Sequence, residues 1–104
     1  MIVCIESPFA GNVEFNVEYA KLAMKDSLSR GEAPFLSHLL YTQVLDDTKP
    51  DERGWGISAG LEFQNVADLV AVYVDLGISR GMEIAIDAAS IKGLPIEFRH
   101  LFPR

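Results

Sequence analysis

The sequence predicts a three-layer α/β fold on a small, mostly parallel sheet of about four to five strands, and three observations carry that prediction. Ile2–Ile5 and Leu69–Val74 are apolar without alternation and rich in β-branched residues, the pattern of strands buried on both faces. Stretches with apolar residues at helical spacing separate these and two weaker strand signals. The chain has 104 residues, which fits one domain over 1–104. The resulting order, β-α-β-α-β-α-β, is that of a doubly wound, Rossmann-like unit.

Taken in order, the first strand ends at Glu6-Ser7-Pro8, and Ser7 to Asn12 forms a turn in which Pro8 cannot donate to a ladder. A helix is expected from Val13 to about Arg30, with Val13, Val17, Ala20, Met24 and Leu28 as its apolar row and Gly31 closing it. Ala33–Ser37 can form a short strand, which Pro34 restricts to an edge or a strand start. His38–Val44 reads as a short helix or irregular segment, and 46–51 as a polar loop. Glu52 to about Gln64 reads as a helix weakened by Gly54, Gly56 and Gly60. After the Leu69–Val74 strand and its turn, Arg80–Lys92 is helical with Gly93 behind it, and Pro95–Arg99 is a last strand.

Composition narrows the function classes. The net charge is −6, and nine scattered basic residues cannot replace the counterions of a nucleic-acid polymer. One cysteine, Cys4, excludes a disulfide framework and reads as a small buried residue. The two histidines do not stand at metal-ligand spacing with carboxylates, and neither a metal nor a cofactor is expected. Asp46, Asp47, Asp51 and Glu52 cluster but lack the ligand periodicity of a calcium loop. Met1–Ile5 has no basic region and runs straight into Glu6, unlike a signal peptide, and no apolar stretch is long enough to span a membrane. The expected location is cytoplasmic. A small domain gains stability from self-association, so a homo-oligomer is expected.

In doubly wound sheets ligands bind beyond the carboxyl ends of the strands, where strand order reverses. Two segments leave strand ends there, Ser7–Asn12 and Asp75–Arg80. Ser79 stands where the following helix needs an N-cap; the same geometry, with Gly81 permitting close approach, also suits an anion or hydroxyl. Asp75 can hold a sugar hydroxyl or only cap its turn. Glu6 and Ser7 leave the first strand on the ligand side, and Phe9 can stack on a base. His38 follows the second strand and can reach the same place, whereas His100 is expected to be solvated. Glu83 is the carboxylate within one turn of Ser79, but with Asp87 and Ser90 it shares the face expected to meet solvent, opposite rows at Ile84, Ala88, Ile91 and at Ala85, Ala89. Trp55, between two glycines, can line a pocket, an oligomer surface or the core.

Several of these pieces recur together. Ile5-Glu6-Ser7-Pro8-Phe9-Ala10-Gly11 with Asn16 is followed by Pro34 and His38-Leu39-Leu40. Then come Leu45-Asp46-Asp47 with Pro50 and Arg53, Ile78-Ser79-Arg80-Gly81-Met82, and Gly93-Leu94-Pro95. The set resembles the small phage and bacterial domains of unknown function related to nucleoside 2-deoxyribosyltransferases, nearly end to end. The resemblance implies a flavodoxin-like fold, a homodimer or higher oligomer, and a nucleoside or nucleotide as small-molecule partner. The enzymes of that superfamily cleave or transfer at the N-glycosidic bond, with a glutamate on the helix after the serine/glycine turn and aspartates holding the sugar. The expected ligand-binding set is Ser7, Pro8, Phe9, Gly11, Asn16, His38, Ser79, Arg80, Gly81 and Met82, with Asp75 and Glu83 as the catalytic candidates.

One departure matters. In the small relatives the glutamate stands four residues after the glycine of the Ser-x-Gly-Met turn, and that position here is Ala85. Glu83 lies about 200° around the helix from Gly81. Either a distorted first turn recruits Glu83 or the nucleophile is absent. The sequence therefore supports a nucleoside- or nucleotide-handling domain, with an enzyme, a non-catalytic sequestering or sensing protein and a protein-interaction module all left open.

Overall fold

Four parallel strands form one sheet in the order β2-β1-β3-β4, with β1 at Ile2–Glu6, β2 at Ala33–Phe35, β3 at Leu69–Tyr73 and β4 at Ile96–Arg99. The computed structural model describes residues 1–103. Pro34 lies in β2, an edge strand, where its missing N–H costs no ladder bond. β1 and β3 are the two central strands, and their apolar runs bury both faces. Val3, Ile5, Ala71 and Tyr73 pack on one side beneath α1 (Val13–Ser29); Cys4, Val70 and Val72 pack on the other, where Met82 and Ala89 meet them. Each fully buried Val or Ile contributes about 1.5–3 kcal/mol relative to exposure.

The second face is covered by α3 (Pro50–Gln64) and α4 (Arg80–Lys92), so the predicted three layers are present with an all-parallel, four-stranded sheet. A short α2 (Ser37–Leu40) and a 3-10 turn at Tyr41–Gln43 link β2 to α3. α3 begins at Pro50, two residues before the expected start at Glu52, because proline at a first helical position has its φ already set. Its glycines also have a use. A Cβ on Gly60 would stand 2.8 Å from Ser37 Oγ and 3.0 Å from Ser37 Cβ, so glycine there lets α2 lie directly on α3.

The buried helix faces follow the apolar rows of the sequence only in part: Ala20 and the row of Ala85 and Ala89 are buried, and the larger residues of the rows are not. On α1 the buried residues are Asn16, Tyr19, Ala20, Ala23 and Ser27, whereas Val13 and Leu28 are exposed. On α4 they are Met82, Ala85 and Ala89, while Ile91 is 87% exposed. The reason is packing distance: alanine and serine let a helix approach the sheet closely, and bulky side chains are turned aside. Glu83, Asp87 and Ser90 do share the exposed face of α4.

Candidate functional site

β1 and β3 end side by side, with Glu6 paired to Val72, and their following loops diverge to helices on opposite faces. This is the crevice that doubly wound sheets use for ligands. A cavity of about 230 Å³ lies there, with Glu6, Ser7 and Phe9 from the end of β1 as one wall and Ser79–Met82 as another. α2, the 3-10 turn and the first half of α3 close it with His38, Tyr41, Arg53 and Ile57. That volume is below the roughly 300–1,000 Å³ of drug-sized sites, so it suits a compact ligand.

Local structure explains how each wall is held. Ser79 Oγ accepts from the Met82 amide at 3.3 Å, and the Met82 sulfur accepts from the Ser79 amide, which fixes the first turn of α4. Arg53 reaches this turn, its Nη2 standing at ordinary contact distance, 3.7 Å, from where a Cβ on Gly81 would lie. Arg53 is itself oriented by a 2.8 Å ion pair with Asp47. Ser7 is buried, and a 2.6 Å hydrogen bond joins its Oγ to His38 Nε2. Asn16 donates to the carbonyls of Phe9 and Ala10, and Gly11 takes a φ of +97°, so these two shape the loop from behind.

Of the expected ligand-binding residues, Ser7, Phe9, His38, Ser79, Arg80, Gly81 and Met82 line the cavity; Pro8, Gly11 and Asn16 support it without lining it. The two catalytic candidates are elsewhere. Asp75 accepts from the Tyr19 hydroxyl and from the amides of Leu101 and Phe102, and its carboxylate ties α1 and the C-terminal segment to the end of β3. Burial works against ionisation of Asp75, but the Tyr19 hydroxyl and those amides outweigh it and hold the carboxyl at about 2. His100 is exposed, as expected, with its Nδ1 3.7 Å from Asp75. Glu83 points outward and pairs with Arg80 at 3.2 Å, because an undistorted first turn leaves it on the outer face of α4. Trp55 is 61% exposed and outside the cavity.

The cavity is lined by three carboxyls, Asp47, Glu52 and Glu6; the first two are ion-paired, whereas among the described residues Glu6 is not. It is half-buried at the end of β1 and has neither a hydrogen-bond nor an ion-pair partner among the described residues, and burial pushes it up to about 8. Burial pushes the neighbouring His38 down to about 4. Near neutral pH the acid therefore keeps its proton and the imidazole is uncharged. The position of Glu6, directly after a buried strand run, was a signal available in the sequence. Arg53 and Asp47 carried none beyond the resemblance, since only the path of α3 brings them to the cavity. Cys4 is buried as expected, its thiol raised to about 11 by burial and by Glu6.

These two shifts act on stability with opposite signs. Glu6 binds its proton more tightly in the fold, rising from 4.5 to about 8, so its stabilisation is complete at low pH and is lost as pH rises across that range. His38 falls from 6.5 to about 4, so its contribution is present above 6.5 and is lost as pH drops toward 4. Urea midpoints measured from pH 3 to 9 are expected to peak at mildly acidic pH. Glu6→Gln should remove the decline between pH 4.5 and about 8 and leave the acid one; parallel curves for the two proteins across that range would refute the assignment.

The comparisons with known proteins agree with this architecture. Residues 1–99 match the family described as a domain of unknown function (DUF7768). The chain belongs to that family. No curated protein matches it. Among solved structures, the DUF7768 fold is similar to the 2-deoxyribosyltransferase from the psychrotolerant bacterium Bacillus psychrosaccharolyticus, with a TM-score of 0.77 and 16% identity. The likeness covers 100% of this chain and 75% of that one. That enzyme is described as a biocatalyst for the synthesis of antiviral and antitumoral nucleosides. At this identity the shared property is the fold, a Rossmann-like parallel sheet flanked by helices. Among the described residues no helix is long and apolar enough to cross a membrane.

Proposed function

We propose that the cavity between the ends of β1 and β3 binds a nucleoside or a nucleoside monophosphate. The observation that carries the reading is the convergence in one small cavity of three kinds of group. Phe9 offers an aromatic face for a base, and the Ser7–His38 pair offers uncharged hydrogen-bonding groups for a sugar or base edge. Arg53 and Arg80, beside the start of α4, offer positive charge for a phosphate. The similarity in fold to a 2-deoxyribosyltransferase supports the same ligand class.

Titration calorimetry and thermal unfolding with deoxynucleosides, ribonucleosides and their monophosphates test it. A ligand at a hundredfold its Kd should stabilise the fold by about 2.7 kcal/mol. If no member of the panel produces heat or a shift in Tm, the reading fails.

A further inference from the structure

The candidate carboxylates on α4 and after β3 are turned away from the cavity, and Glu6 is not. Its side chain borders the main cavity and also a narrower recess of about 50 Å³ whose walls include Gly81 and Ala85 of α4 and Gln64 of α3. Gln64 donates to the Ala85 carbonyl at 2.9 Å, which fixes the wall of the recess. Residue 85 is the position where the resemblance expects a glutamate. Glu6 therefore reaches, from the end of a strand, the recess which that residue would have reached from a helix. Alanine at 85 also leaves no second carboxylate there to compete with it.

We propose that Glu6 is a catalytic acid, and that it gives its proton to the departing base when the N-glycosidic bond of a bound nucleoside breaks. The inference rests on the nucleoside reading of the cavity. The Glu6 proton passes to a ring nitrogen of the base, and the bond between C1′ and the base breaks with its electron pair staying on the base. A water oxygen bonds to C1′ and loses one proton to solvent, from which Glu6 regains one. The sum is nucleoside plus water giving free base and free sugar. With alanine at 85, and with Glu83 and Asp87 on the outer face, α4 presents no carboxylate to the cavity that could hold the sugar as an ester, so hydrolysis is favoured over transfer to a second base.

The surroundings fit an acid better than a nucleophile. The charged and titratable side chains that share the cavity are His38, Tyr41, Asp47, Glu52, Arg53 and Arg80. Arg53 is paired with Asp47, Glu52 lies 3.6 Å from Lys49, and Arg80 is paired with Glu83. His38 is bonded to Ser7 and uncharged. Among the described residues no cation is paired with Glu6, and a protonated carboxyl can donate a proton but attacks carbon poorly.

The test follows base release and calorimetric binding for the wild type, Glu6→Gln and Glu6→Asp on one panel of deoxynucleosides and monophosphates. Wild type is expected to release base at a rate that falls as pH rises through about 8. Glu6→Gln should bind within a few-fold of wild type and lose roughly 100-fold or more in rate, the typical contribution of a general acid. Thermal unfolding verifies its fold, and Glu6→Asp, with the acid set back by one carbon, should keep the pH limb at a reduced rate. Base release by Glu6→Gln at the wild-type rate overturns the proposal, as does a wild-type rate that rises with pH over that range. Binding without release also overturns it and leaves the ligand reading intact, whereas absence of binding overturns both.

Discussion

Replacing Arg99 with methionine is expected to destabilise the domain by about 3–5 kcal/mol, the range for removing one partner of a buried ion pair. The Arg99 side chain is 3% exposed and that of Glu32 11%. Two guanidinium nitrogens meet the two Glu32 oxygens at 2.7 and 2.8 Å in a bidentate pair, and Nε reaches Glu97 at 2.9 Å. The same guanidinium donates to the Tyr73 hydroxyl at 3.1 Å, which in turn donates to Asp26. Ser27 donates to Glu32 from beneath. Arg99, opposed by burial and helped by Ser27, holds the Glu32 carboxyl at about 2. Methionine fills most of the space but leaves Glu32 buried and uncompensated. The loss should appear as a lower urea midpoint with an unchanged slope. Adding Glu32→Gln should recover part of it, since the penalty comes mainly from the stranded charge. Additive effects of the two changes would show that the pair is not coupled.

Asp75→Ala is expected to cost about 2–4 kcal/mol and to leave ligand binding unchanged. Removing the carboxylate strands the hydroxyl of Tyr19, a residue 2% exposed, and frees the Leu101 and Phe102 amides. A buried donor left without an acceptor costs about 1–3 kcal/mol; the amide of the more exposed Phe102 regains water at small cost. Because Asp75 is held at about 2 against an ordinary 3.8, its contribution is present above pH 3.8 and disappears as pH falls through 2. The difference in stability between wild type and variant should therefore shrink below pH 4. Calorimetry with any nucleoside the wild type binds, at a temperature where both are folded, tests the second half. A large loss of affinity in Asp75→Ala would return this residue to the ligand site.

Much of the molecule was legible in the chain itself. Ile2–Ile5 and Leu69–Val74 announced two strands buried on both faces, Pro34 placed its strand at an edge, and Ser79 marked the start of α4. These features are set by neighbours a few residues away, so pattern and turn chemistry suffice to read them. Topology rules place Ser7, Phe9 and Ser79–Met82 at one crevice from the order of elements alone.

What the sequence could not decide is where each side chain points and who meets it. Ala20, Ala85 and Ala89 read as core and are buried, but Leu28 and Ile91 also read as core and are exposed, because packing distance between layers is a property of the assembled fold. Asp75 sits at the ligand-bearing end of β3 and looked free to hold a sugar, but Tyr19 and the 101–102 amides come from segments 56 and 26 residues away and use its oxygens. The doubly wound fold was determined by local sequence alone. The protonated carboxyl at the cavity was decided by tertiary structure, since desolvation and the absence of a partner belong to the space around Glu6 and not to the residue.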